Sequence, residues 1–365
     1  MLLNAPRLVV KIGSSLLIDE RGGVRRDWLA TIATDVAALA VHGQQLIIVS
    51  SGAIALGARR LTLAKGGRAT LEDAQAAAAT GQIALAGAWA EALDAQGLTA
   101  AQLLLTLDDL EDRRRYLNAT STLARLLALG VVPVVNENDS VATEEIRFGD
   151  NDRLAARVAL AAGAQGVLLL SDVDGLYDRP PEEPGAALIP EVTALDALAA
   201  RIGAVGAMGT GGMAAKLAAA RLATGAGVAL AIASGREDHP LARYRETGRG
   251  TLFHPTADAA PARKAWLAAG QTAKGALIAD AGAVAALRAG KSLLPAGVIQ
   301  VTGGFARGDL VMILDDRGTP IARGLSEYDA ADAERIAGAR SHAIGAILGH
   351  APRAALVHRN HLALL

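Results

Sequence analysis

Four short stretches gather the residue types that phosphate chemistry uses. Lys11-Ile12-Gly13-Ser14-Ser15 ends an apolar run with a cation and a glycine turn, which would bring one ammonium and several backbone N–H groups to an anion. A surface lysine beside an ordinary turn has the same spelling. Ser50-Ser51-Gly52-Ala53 follows a second apolar run, where a hydroxyl and helix N-terminal N–H groups suit an anion. Either serine could equally act as an N-cap. The third stretch is Asn136-Glu137-Asn138-Asp139-Ser140, continuing through Glu144 and Glu145 to Gly149-Asp150-Asn151-Asp152. Its amides and carboxylates can accept from an ammonium and donate to a carboxylate, as an amino-acid ligand requires. The fourth, Gly209-Thr210-Gly211-Gly212-Met213-Ala214-Ala215-Lys216, opens an Ala-rich helix. Its glycines admit a nucleotide closely, and Lys216 can reach a phosphoryl group in transfer.

Competing readings of these stretches fail on spacing. Asp150-Asn151-Asp152 lacks the loop glycine and terminal glutamate of an EF-hand. The glycines before Lys216 follow no strand directly and have no acidic residue about twenty positions on, so the dinucleotide pattern is weak. Gly290-Lys291-Ser292 has Ala285 where a Walker loop needs its first glycine. The chain has no cysteine, which removes disulfides, thiolate zinc sites and cysteine nucleophiles. Of its seven histidines, His42 ends a helical pattern and the others cluster towards the C-terminus.

The elements that must position these stretches alternate. Apolar runs at Arg7–Ile12, Gln45–Ser50, Gln102–Leu105, Val131–Val135, Gly166–Leu170 and Gly227–Ile232 read as strands. Between them, Asp27–His42, Leu71–Ala95, Tyr116–Leu129 and Arg153–Ala162 have helical spacing. Continuous apolar strands separated by helices predict an α/β fold with a largely parallel sheet covered on both faces. Ligands in such folds gather at the carboxyl ends of the strands, where the polar stretches lie. After His254-Pro255 the texture changes. Strands are expected at Gly297–Thr302, Leu310–Leu314 and Pro320–Gly324, with turns at Thr302-Gly303-Gly304 and Asp315–Gly318, as in a small β-rich domain. The expected division is a catalytic domain at 1–256, a linker at 257–273, and a second domain with its tail at 274–365.

With 365 residues, 52% hydrophobic and 20% charged, the chain can bury a large core, and disorder is excluded as its main state. A net charge of -1 gives no global field for nucleic acid or acidic lipid. The apolar stretch Val158–Ser171 falls short of the ~20 residues of a spanning helix. A soluble, cytoplasmic protein with no membrane partner is the expectation.

The stretches VVKIGSS, SSGAIALG, EDRRRYLNA, VPVVNENDSV, FGDND, LLLSDVDGLY and GTGGMAAK, in this order, resemble the amino-acid kinase family over residues 7 to 254. SLLPAGVIQVTGGFARGDLV and IARGLSEY resemble a PUA domain. The resemblance implies the three-layer amino-acid kinase fold plus a PUA-like domain. NENDSV followed by GDND is similar to members that phosphorylate the side-chain carboxylate of L-glutamate with ATP, the first step of proline biosynthesis. Lys11 and Lys216 would then neutralise the phosphoryl group in flight, with Asp152 holding both lysines. Ser51, Asp139 and Asn151 would bind glutamate, with Asn136 and Asp150 lining the same pocket. Lys11, Ser171, Asp172, Thr210, Gly211, Gly212, Met213, Ala214, Ala215 and Lys216 would hold ATP, with Mg²⁺ as partner. Where the family commonly has a hydroxyl before the second lysine, this chain has Ala215.

The family also implies a homo-oligomer and feedback inhibition by proline. The nearest alternative acceptors are N-acetylglutamate, aspartate or a nucleotide, and the carboxylate in the Asn136–Asp139 loop favours a free amine. RNA binding by the second domain is not expected. Residues 274–352 balance eight Lys and Arg against eight Asp and Glu and carry only Phe305 and Tyr328 as aromatics.

Overall fold

The computed structural model describes residues 2–19, 22–141, 150–195, 210–256, 273–350, 353 and 355–365. The chain forms two compact units, Met1–Leu110 with Ala119–Ala259, and Glu111–Asn118 with Ala260–Leu365.

In the first part of the chain, β1 (Arg7–Ile12) is followed by α1 (Ser14–Leu17) and α2 (Arg26–Val41). Then come β2 (Gln45–Ser50), α3 (Ala53–Arg60), α4 (Leu71–Asp94) and β3 (Ala100–Leu105). Next are α5 (Leu107–Glu111), α6 (Arg113–Ala128), β4 (Val132–Glu137), α7 (Asp150–Ala162) and β5 (Gly166–Ser171). Short strands β6 (Leu176–Tyr177), β7 (Leu188–Ile189) and β8 (Glu191–Val192) precede α8 (Thr210–Gly225). β9 (Ala229–Ser234), α9 (Pro240–Thr247) and β10 (Thr251–Phe253) complete it.

The main sheet has the order β3-β4-β2-β1-β5-β9-β10-β8. Its pairs are parallel except β9 with β10. The expected mainly parallel α/β sheet is therefore present, with an antiparallel turn-back near one edge. Leu8, Val10 and Ile12 of β1 share a core with Trp28, Leu29 and Ile32 of α2 and Leu85 and Trp89 of α4. Val9, between them, is also fully buried. Alternate residues of β1 therefore serve two cores, one on each face, with α7 packed against the strand as well.

Register aligns the strand ends. Lys11 is level with Val49 and Leu169, and Ile12 with Ser50. Ser171 is level with Ser234, and Asn136 with Leu104.

Several boundaries differ from the sequence reading, and the differences matter near these ends. α7 begins at Asp150, so Asn151 and Asp152 stand in its first turn and not in the preceding loop. Carboxylates are favoured there by the helix dipole, which explains why so polar a start folds as helix. The glycine-rich stretch is helical from Thr210, so Lys216 is held within α8. Val158–Ser171 divides between the end of α7 and β5. The sequence reading placed a helix after Ser51-Gly52 without bounds, which is α3, and had no element for α9 or β10, all short. The expected linker, apart from its last residue Ala273, and Glu144, Glu145, Gly149 and Gly209 lie outside the described residues.

The second unit contains a sheet of β11 (Gly275–Ala279), β12 (Val298–Gly303), β13 (Leu310–Leu314), β14 (Pro320–Ser326) and β15 (Val357–Leu364), in the order β12-β11-β13-β14-β15. Leu277, Val298, Val311, Ile313 and Leu362 contribute to its core. The expected turn at Asp315 is built by its carboxylate, which accepts from the N–H groups of Arg317 at 3.0 Å and Thr319 at 2.7 Å. β11 and β15 were not read from the sequence.

Candidate active site

Strand alternation puts Lys11 on the same side of β1 as Val9, and α7 packs against that strand. The first turn of α7 carries Asp152, whose Oδ1 lies 2.6 Å from Lys11 Nζ. That contact is short but off the line a hydrogen bond needs. Lys216 Nζ, from α8, donates to Asp152 Oδ2 at 3.3 Å. Three elements distant in sequence thus bring two ammonium groups onto one carboxylate. Lys11 is 6% exposed, Asp152 1% and Lys216 9%. One carboxylate balances one of the two cations, and a buried surplus of positive charge is costly unless an anion meets it. A phosphoryl group in transfer is such an anion.

Space for it is kept at Gly13. Its backbone (φ -72, ψ 150) suits any residue. A Cβ there would stand 3.9 Å from Lys11 Nζ, filling the region beside the ammonium.

A cavity of about 190 Å³ opens over this triad. Lys11, Gly13, Ser51, Asn136, Asp139, Asn151, Asp152, Ser171, Asp172, Gly212 and Lys216 all border it. Neither serine of Ser50-Ser51 caps α3. The cap residue is Gly52, at φ 109, a conformation that favours glycine. Ser50 is fully buried and its Oγ accepts from Trp89 Nε1 at 2.9 Å. Ser51 is left for the cavity. Buried Asn136 donates through Nδ2 to Gln82 Oε1 at 2.7 Å and accepts from Asn151 Nδ2 at 3.2 Å. Asp139 is buried as well.

A larger cavity of about 750 Å³ lies beyond the ends of β5 and β9 and shares Asp172 with the first. Met213, Tyr177, Pro240 and Tyr244 give it apolar walls, and Arg236, Arg243 and Arg249 give it cations. Arg236 Nε donates to the Asp172 carbonyl at 2.7 Å. Arg249 pairs with Asp174 at 2.7 Å, and the Tyr177 hydroxyl donates to the same carboxylate at 3.0 Å. Desolvation, followed by the bond to Asp174, pushes the Tyr177 phenol up; burial does the same for Tyr244. Both stay neutral, as an apolar wall requires. A flat base and a sugar would find apolar partners on such a wall.

Of the residues singled out in the sequence, Lys11, Lys216, Asp152, Ser51, Asn136, Asp139, Asn151, Ser171, Asp172 and Gly212 border the smaller cavity, and Met213 the larger. Ala214 and Ala215 border neither, and Ala214 is exposed. The side chains of Asp150 and Thr210 lie outside the described residues, and Gly211 has none. Sequence reasoning missed Arg68 and Glu137 at the smaller cavity, and Tyr177, Tyr244 and the three arginines at the larger. Glu137 stood inside a quoted motif and could have been found. Tyr177 likewise closes the quoted LLLSDVDGLY stretch; the remaining residues carry no motif and are brought in by the fold alone.

A sequence model described as the amino acid kinase family matches residues 6–234, and one described as the PUA domain matches residues 275–348. The chain therefore belongs to the amino acid kinase family. It is 64% identical over 365 residues to the glutamate 5-kinase of Sphingopyxis alaskensis, covering 99% of this chain and 98% of that one. For the glutamate 5-kinase of Zymomonas mobilis the identity is 60% over 368 residues, covering 99% and 92%. For that of Novosphingobium aromaticivorans it is 58% over 366 residues, covering 99% and 97%. Within the family the chain is a kinase of the glutamate 5-kinase group, with a C-terminal PUA domain.

Proposed function

We propose that the chain transfers the γ-phosphoryl group of ATP to the side-chain carboxylate of L-glutamate, giving L-glutamyl 5-phosphate, the first step of proline biosynthesis. The observation that carries this reading is the pair of buried lysines sharing Asp152 at the floor of the smaller cavity. The acceptor carboxylate has a reference pKa of about 4.3, so it is already ionised at neutral pH and no general base is needed. A carboxylate oxygen attacks the γ-phosphorus, the bond to the bridging oxygen breaks, and ADP leaves with the electron pair.

The obstacle is the approach of an anion to a polyanion. Lys11 and Lys216 offset that repulsion, and Asp152 keeps the two ammonium groups from separating. Asp139 and Asn151 supply acceptors for the α-ammonium, Asn136 holds Asn151 in place, and Ser51 with the N–H groups opening α3 supplies donors for the α-carboxylate. The larger cavity takes the adenosine portion of ATP.

Among the described residues no three His, Cys, Asp or Glu side chains converge to cage a metal. Magnesium normally binds through phosphates, water and one or two carboxylates, so this donor set fits an ion arriving on the nucleotide, with Asp172 as its protein carboxylate. When bound, it would screen the phosphate charge. Among the described residues no helix is long and apolar enough to cross a membrane.

The test is a coupled assay with ATP, Mg²⁺ and L-glutamate in which hydroxylamine traps the acyl phosphate. Glutamyl hydroxamate should form in step with ADP, and proline, as the pathway's end product, should slow it. Faster trapping from N-acetylglutamate or aspartate would overturn the assignment.

A further inference from the structure

A backbone donor fixes which way round the amides beside the smaller cavity sit. The N–H of Glu137 can only donate, and it meets Asn136 Oδ1 at 2.9 Å. The Asn136 oxygen is therefore committed to that side, and its Nδ2 faces Gln82 Oε1 at 2.7 Å. The same oxygen also receives Asn151 Nδ2 at 3.2 Å. With its nitrogen engaged, Asn151 is left with Oδ1 as a buried acceptor that has no partner. An unsatisfied buried acceptor in the wall of a cavity calls for a donor.

Gln82 does not border this cavity; it lines a neighbouring one of about 240 Å³. Its place on α4 is pinned by the crossing with α3. A Cβ on Gly81 would stand 1.8 Å from the Ala53 carbonyl oxygen, and one on Gly57 1.8 Å from that of Ala77. The backbones meet where no side chain fits, and the residues opening α3 border the substrate cavity.

We infer that Gln82 is a positioning residue for acceptor selection: the Glu137 N–H sets which way round Asn136 sits, Gln82 holds that side chain in place through its Nδ2, and Asn151 in turn presents an oxygen to the ligand. This rests on the reading of the chain as a kinase of free glutamate. An oxygen at that point accepts from an α-ammonium. A reversed amide would present NH₂, which repels an ammonium and suits the carbonyl of an acylated nitrogen.

Wild type, Gln82→Leu and Gln82→Glu are assayed with ATP on L-glutamate and on glutarate, the same dicarboxylate without the amino group. Gln82→Leu should raise the glutamate KM about tenfold, the scale of one hydrogen bond to a charged group. Its kcat should stay within about threefold, and the KM for ATP and the affinity for glutarate should not move. Preference for glutamate over glutarate then falls about tenfold, and Gln82→Glu, which keeps an acceptor oxygen, restores it. Should Gln82→Leu not fold, Gln82→Met is read in the same way. Equal losses on both acceptors, or an unchanged preference, overturn the inference while leaving the kinase reading intact. A wild type that does not turn over glutamate overturns both.

Discussion

At the scale of single residues, the site depends on an imbalance of charge. Lys11 and Lys216 share one carboxylate, so removing either lysine leaves Asp152 still paired and the fold intact. The migrating phosphoryl group loses half of its compensation. Lys11→Ala and Lys216→Ala should each slow kcat by roughly 10²–10³-fold, the scale of losing one preorganised transition-state partner, with little change in melting temperature. Near-normal turnover in both would remove the assigned role. Asp139 acts on the acceptor side. Asp139→Ala should raise the glutamate KM while leaving the KM for ATP in place, as initial-rate titrations of each substrate would show. An effect on ATP alone would move the acceptor pocket elsewhere.

At the scale of elements, α9 is held from outside itself. Its N-cap residue is His239, in a left-handed conformation at φ 54 and without a side-chain cap bond. The orphan N–H groups of Leu241 and Ala242 are instead taken by Asp35 Oδ2 of α2, at 3.0 and 3.2 Å. Asp35 Oδ1 lies 2.9 Å from His239 Nδ1. Because Pro240 and Tyr244 wall the larger cavity, Asp35→Ala should raise the KM for ATP more than that for glutamate. It should also cost about 1–2 kcal/mol of stability for the lost cap. Equal shifts in both KM values would show a general loosening instead. This device also marks where sequence reading stops. Long helices and central strands were legible because their apolar periods repeat over many residues. So were Lys11, Asp152 and Lys216, because they sit in motifs at strand and helix ends. Helix α9 spans only Pro240–Thr247, and its cap comes from a residue far back in the chain. No local pattern encodes that. Arg236, Arg243 and Arg249 likewise read as ordinary surface charges until β9, α9 and β10 fold around one cavity.

At the scale of the whole molecule, the second unit has its own buried charge cluster. Glu327 lies 3.6 Å from each of Arg307, Arg353 and His361. Burial alone would raise its carboxyl, but His361, Arg307 and Arg353 together outweigh that and hold it below the usual range. A carboxyl whose folded pKa is lowered stabilises the fold fully above its unfolded value of about 4.3, and that contribution fades as pH falls through the folded value. Glu327→Gln should therefore lose roughly 3 kcal/mol at neutral pH, and its gap from wild type should close in acid. Denaturant melts of the full chain at pH 7 and below pH 4 would show this, and a gap that persists in acid would refute it. The two cavities of the first unit have a different consequence. Trp28 donates its indole N–H to the carbonyl of Glu237, which borders the larger cavity, and Trp89 donates to Ser50 beside the smaller one. The indole of Trp28 thus stands one hydrogen bond from the wall of the larger chamber, so in a variant whose other two tryptophans are replaced, occupancy on the donor side can be followed by emitted light, without any attached dye.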